Sequence, residues 1–110
     1  MWLKIDDNEK RPDRPINLDK AISIETRWHE DSFDGSISYT VFARYNATAG
    51  YECSLDAGNV VLETFTNEYE AGFFVDFLCG HIRDGCKEYS LTRLLHESHL
   101  YYEWWEENCR

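Results

Sequence analysis

Four residues in the last third of this 110-residue chain could hold a metal: Cys79, Cys86, His96 and His99. Thiolate and imidazole are the ligands of structural zinc, and His96 and His99 fall three apart, on one face of a helix. Their spacing matches no common zinc site, and the separations of Cys53, Cys79, Cys86 and Cys109 contain no C-x-x-C. Four reduced thiols are therefore expected, with no metal or other cofactor. A hydrolytic nucleophile needs a base and an orienting group, but His29, His81, His96 and His99 lie in no G-x-S-x-G or Cys-His context. Glycoside chemistry needs only two carboxylates, yet 21 scattered acids make any chosen pair uninformative. A glycine-rich phosphate loop is also missing. The chemistry points to binding rather than catalysis, and a small metal-dependent enzyme ranks last.

The distribution of acid is more informative. Between Trp28 and Ile82 stand nine carboxylates (Glu30, Asp31, Asp34, Glu52, Asp56, Glu63, Glu68, Glu70, Asp76) against one basic residue, Arg44, a formal −8 of the chain's −10. Apolar residues make up 43% and aromatics 15%, more than a disordered acidic chain carries, so the acid belongs to a folded surface. Such a surface repels nucleic acid, and direct nucleic-acid binding is not expected. The length suits one domain, residues 1–110, with sheet and first helix over 1–85 and a helical extension over 86–110. No run of about 18 apolar residues and no signal-peptide pattern is present, so the expected compartment is the cytoplasm, with no membrane contact. Without secretion, the sequon Asn46-Ala47-Thr48 reads as a turn.

The elements that would position these groups begin with a strand at Trp2 to Ile5. A charged loop follows from Asp6 to Pro15, where Arg11-Pro12 and Arg14-Pro15 forbid helix and ladder. Ile16, Leu18, Ile22, Ile24, Thr26 and Trp28 then share one parity, the pattern of a strand with one buried face. His29 to Gly35 predicts a turn, Ser36 to Tyr45 a third strand that alternates with Ile37, Tyr39, Val41, Ala43 and Tyr45 on one face, Tyr51 to Leu55 a fourth and Val60 to Phe65 a fifth. The short connections Asn46 to Gly50 and Asp56 to Asn59 imply an antiparallel meander.

A helix is predicted after Thr66 or Asn67 as cap, with Glu68 and Glu70 in its first turn and Gly85 closing it after Arg83. Ala71, Phe74, Val75, Leu78 and Ile82 form a stripe expected to lie on the sheet. Phe73 and Phe77 stand on its shoulder and can receive another element. A last helix runs from about Ser90 to Glu107, with Leu91, Leu94, Leu95, Ser98, Tyr102 and Trp105 on one face. Leu100 and Trp104 project almost oppositely, among Glu97, Glu103 and Glu107. The predicted class is α+β, a meander of about five strands with one packed helix and a C-terminal helix.

Ile16-Asn17-Leu18-Asp19, followed by the alternating strand, and the run Leu62-Glu63-Thr64-Phe65-Thr66-Asn67-Glu68-Tyr69-Glu70-Ala71 resemble small uncharacterised bacterial and phage proteins. Those share an INLD strand and an F-x-T-x-E-E-A strand-to-helix junction. The resemblance covers about residues 1–82 and implies a meander sheet with a packed helix and no known active site. In size, acidity and lack of catalytic residues, the chain is also similar in type to phage-encoded inhibitors of defence nucleases, including anti-CRISPR proteins.

The sequence thus favours a non-enzymatic acidic inhibitor whose carboxylates stand in for phosphates in the basic groove of a protein partner, such as a nuclease or another nucleic-acid-binding protein. The candidate contacts are Glu30, Asp31 and Asp34 in one loop, Glu63, Glu68, Glu70 and Asp76 around the first helix start, and Glu97, Leu100, Tyr101, Glu103, Trp104 and Glu107 on the last helix. The alternative is a module that forms a homodimer through the aromatic last helix, its acidity serving solubility.

Overall fold

A computed structural model describes residues 1–4, 15–45 and 58–109. In chain order these form β1 (Trp2–Lys4), β2 (Ile16–Asn17), a 3-10 turn (Leu18–Lys20), β3 (Ser23–Glu30), β4 (Ile37–Arg44), β5 (Asn59–Phe65), α1 (Glu68–Arg83), β6 (Glu88–Ser90) and α2 (Leu91–Asn108). The fold is α+β, with an antiparallel meander and two helices. The strand expected over Tyr51–Leu55, the turn at Asn46–Gly50 and almost all of the Asp6–Pro15 loop lie outside the described residues. By packing, the chain divides into two compact units, Lys20–Ala71 and a discontinuous one made of Met1–Asp19 with Gly72–Arg110.

The unit Lys20–Ala71 holds the meander. β3 pairs antiparallel with β4 from Ser23 opposite Arg44 to Glu30 opposite Ile37, and β4 pairs antiparallel with β5 from Tyr39 opposite Phe65 to Arg44 opposite Asn59. β5 thus takes the place beside β4 where the sequence suggested the Tyr51–Leu55 strand. The β3–β4 turn is built by its own acids: Asp31 Oδ1 accepts the Phe33 N–H at 2.7 Å and Asp34 Oδ1 the Ser36 N–H at 2.8 Å, while Gly35 takes φ 73°. Val41 faces Glu63 but Phe42 faces Val61, so Leu62 is the extra residue of a bulge, and its side chain is fully buried.

Two expectations need correction here. Val41, Phe42 and Ala43 are all buried in succession, so the centre of β4 is covered on both faces rather than alternating. Ile16 to Trp28 is not one strand with a buried face: the 3-10 turn interrupts it, Ile22 is 57% exposed and Trp28 62% exposed. Alternation fixes which side chains share a face, but whether anything covers that face is decided by distant chain.

In the other unit β1 is central. It pairs antiparallel with β2 (Trp2 opposite Asn17, Leu3 opposite Ile16) and parallel with β6 (Trp2 opposite Glu88, Leu3 opposite Tyr89, Lys4 opposite Ser90). The strands expected in a single meander are therefore shared between two sheets, because the Leu18 N–H donates back to the Met1 carbonyl at 2.8 Å and Asn17 Oδ1 accepts the Asp19 N–H at 3.0 Å, turning the chain out of β2. A parallel partner more than 80 residues away leaves no local turn signal.

Asn67 caps α1 by accepting the Tyr69 and Glu70 N–H groups at 2.8 and 3.3 Å. The far end closes on Gly85 at φ 81°, with Gly85 N–H bound to the Ile82 carbonyl and Cys86 N–H to that of His81, the Schellman arrangement. Ala71, Phe74 and Leu78 of the apolar stripe are buried. Ser90 caps α2 through the Arg93 N–H, and Leu91, Leu94 and Ser98 form that helix's buried line, the Ser98 hydroxyl satisfied by the Leu95 carbonyl.

The two ends of α1's backbone logic can be separated by substitution. Gly72 is exposed in mid-helix and a Cβ there meets nothing within 4 Å, so Gly72→Ala should stabilise by roughly 0.5–1 kcal/mol. Gly85→Ala should destabilise by about 1–2 kcal/mol, because the left-handed conformation strains any Cβ. Thermal unfolding of the two variants should shift in opposite directions; a Gly85→Ala variant no less stable than the parent would refute the cap assignment.

Candidate functional site

The side of α1 turned away from its buried stripe carries Phe73, Asp76, Phe77, Gly80 and His81, at spacings of three and four that keep them on one face, and Asp84 follows just past the helix end. From α2, Tyr101 meets this face edge-on, its ring centroid 5.0 Å from Phe73 and 5.6 Å from Phe77. Trp105 adds a second edge contact to Phe73 at 5.4 Å. The expectation that Phe73 and Phe77 receive another element is met, and the element is α2. Between the helices lies a groove of about 360 Å³. Phe73, Phe77 and Tyr101 supply its aromatic surface, and Gly80, lacking a side chain, leaves it open. Asp76 and Asp84 also line it, and neither carboxylate has a hydrogen bond or ion pair among the described residues.

Beside the groove, Glu97 gathers a polar cluster. It accepts the Tyr89 hydroxyl, pairs with Arg93 Nε at 3.4 Å and lies 3.8 Å from His81 Nε2. The Tyr89 ring stacks on His81 with centroids 4.1 Å apart and has the Arg93 guanidinium 5.4 Å from its centre. Burial, followed by the hydrogen bond to Glu97, raises the Tyr89 phenol above its usual range. Glu97, a candidate partner contact by sequence, is thus engaged within its own unit and ties the end of α1 to β6 and α2.

The other candidates divide between the two units. On α2, Leu100 (52% exposed), Tyr101 (41%) and Trp104 (52%) stand open, with Trp104 5.7 Å from Tyr101. Glu103 pairs with His99 at 3.1 Å, and Glu107 is exposed. In the meander unit, Glu30 and Glu68 are exposed, Glu70 is half-buried in the first turn of α1, and Glu63 accepts its neighbour Thr64's N–H at 2.9 Å. Asp31 and Asp34 hold the β3–β4 turn, and the Ser36 backbone N–H lowers the Asp34 carboxyl below its ordinary value.

Sequence reasoning passed over Phe33, which is 98% exposed at the tip of that turn between Asp31 and Asp34. Its signal was a lone aromatic in a turn of polar residues. Asp84 was also missed, although its place in the 73, 77, 80, 84 spacing was legible. A second hollow, about 280 Å³, opens on the meander and is lined by Arg27, His29, Thr40, Phe42, Asn59 and Val61, the Arg27 guanidinium lying 5.0 Å from the Phe42 ring centre.

No group of three or more His, Cys, Asp or Glu among the described residues is arranged to hold a metal ion. Cys79 is half-buried, and its thiol is raised by burial and then by Asp76, which keeps it neutral. Cys86 donates to the Glu88 carbonyl at 3.1 Å, and His96 and His99 are exposed on α2. No described helix is long and apolar enough to cross a membrane.

Because the folded state raises the Tyr89 pKa, its stabilising share is complete below about pH 10 and is lost as pH rises through the folded value. Denaturant midpoints measured at pH 8 and pH 11 should fall less for Tyr89→Phe than for the parent; an equal fall in both would remove Tyr89 from the cluster.

Compared with protein-family models, curated proteins and solved structures, the chain finds no match.

Proposed function

We propose that this chain acts by binding rather than by catalysis, as an acidic protein that engages a basic surface of a partner protein. The observation that carries this reading is the open face Leu100, Tyr101 and Trp104 on α2, an aromatic patch on a chain of net charge −10 with Glu103 and Glu107 beside it. Exposed Trp and Tyr are the side chains that dominate interface energetics, and surrounding acid steers a cationic surface toward them. The acidic β3–β4 turn repeats the combination around Phe33. The sharper form is inhibition of a nucleic-acid-handling partner, such as a phage-defence nuclease countered by an anti-CRISPR-like protein, with carboxylates standing where phosphates would lie.

The second reading, a homodimer through α2, draws on the same apolar face. The two diverge in what each variant changes. Protein immobilised and exposed to a lysate of its source organism should retain a basic partner that elutes with high salt or duplex DNA. Against that partner once purified, Phe33→Ser, which removes a side chain without buried contacts, and Glu30→Lys should each weaken binding by about tenfold or more while leaving thermal stability unchanged. Sedimentation that shows a dimer dissociated by Trp104→Ala, with no salt-sensitive partner recovered, would replace the inhibitor reading with the self-association one.

A further inference from the structure

We infer that the α1–α2 groove is a receptor for an arginine side chain presented by a basic partner segment. This deepens the binding reading above and rests on it. Three properties of the groove select such an occupant. Its surface is aromatic, with Phe73, Phe77 and Tyr101 set edge to face, and aromatic faces attract a guanidinium by stacking and through the ring quadrupole. Asp76 and Asp84 add two carboxylates, eight residues apart and so about 12 Å along the helix axis. Neither has a hydrogen bond or ion pair among the described residues, so either one can accept the guanidinium's forked donors.

The third property is Gly80, which lies midway between the two carboxylates. A glycine inside a helix costs about 1 kcal/mol relative to alanine. Here an added Cβ would meet nothing within 4 Å, so no packing constraint on the chain itself demands glycine. What its absence of a side chain does is keep the groove open beneath Tyr101. A phosphate or carboxylate ligand is disfavoured by the two aspartates, and a purely apolar side chain would leave them unused beside it.

The probe is hexa-arginine, with hexa-citrulline as its uncharged counterpart of nearly equal shape, followed by 15N-resolved NMR on the full chain. Hexa-arginine should shift the Phe77, Gly80 and Tyr101 resonances in a saturable way, and hexa-citrulline should not. Gly80→Leu fills the groove with a strong helix former, and Asp76→Asn with Asp84→Asn removes its charge without changing its shape; each should weaken the arginine peptide by about tenfold or more. Melting temperatures no lower than the parent's would show that these variants still fold. Shifts that centre on the Asp31–Ser36 turn, absence of binding by the parent protein, or Gly80→Leu binding as tightly as the parent would each overturn the assignment. Should the groove assignment fail while the captured partner remains sensitive to Phe33→Ser and to salt, the binding function would stand without this receptor. Loss of the captured partner itself would be the separate failure of that function.

Discussion

Three residue pairs, Trp2 with Glu88, Leu3 with Tyr89 and Lys4 with Ser90, hold the rest of the discontinuous unit, Met1–Asp19 with Gly72–Arg110, in place. A three-residue parallel ladder is weak by itself, and it is reinforced by the buried Leu3 side chain, the Trp2 N–H bond to the Lys87 carbonyl and the Lys4–Glu88 ion pair at 3.1 Å. Its consequence is positional. Ser90 ends the ladder and caps α2 in the same step, so the direction in which α2 departs is set by its pairing with β1. Tyr89, one residue earlier, delivers its hydroxyl to Glu97 two turns along that helix. From this start the geometric repeat of the helix carries Tyr101 and Trp105 to Phe73 and leaves Leu100 and Trp104 open.

The two helices use their aromatics in different ways. On α1, one stripe is buried while the opposite side carries Phe73 and Phe77 toward α2. On α2, Tyr102 and Trp105 are half-buried while Trp104 and Leu100 remain exposed. A helix apolar on more than one face is expensive to leave in water unless a neighbour covers it, and α1 satisfies this with α2 whereas α2 retains an uncovered side. Acid plays an equally divided role. Asp31, Asp34, Glu63 and Glu97 are committed to turns, strand and cluster, so the clustered charge of the sequence is partly structural, while Asp76, Asp84 and Glu107 face outward without such duties.

Several features were determined by sequence alone because they depend on neighbours within a few residues. These include the α+β class, the approximate helix spans, a first-helix cap at Thr66 or Asn67 with its Gly85 stop, the face that holds the buried Leu91, Leu94 and Ser98, and the outward set of Leu100 and Trp104, whereas the choice of Asn67 and the Ser90 cap came with the structure. Helical periodicity and capping are written in residues a few positions apart, so they are legible without knowing what packs on the helix. Tertiary structure alone decided the parallel β1–β6 pair, the division of strands between two sheets, the exposure of Trp28 and Ile22, the capture of Glu97 by Tyr89 and the groove between Phe77, Gly80 and Tyr101. Each of these joins residues far apart in the chain or depends on which layer covers a face. Period and composition carry little information about either, because one alternating pattern is compatible with a bare or a covered face and only the distant partner decides which.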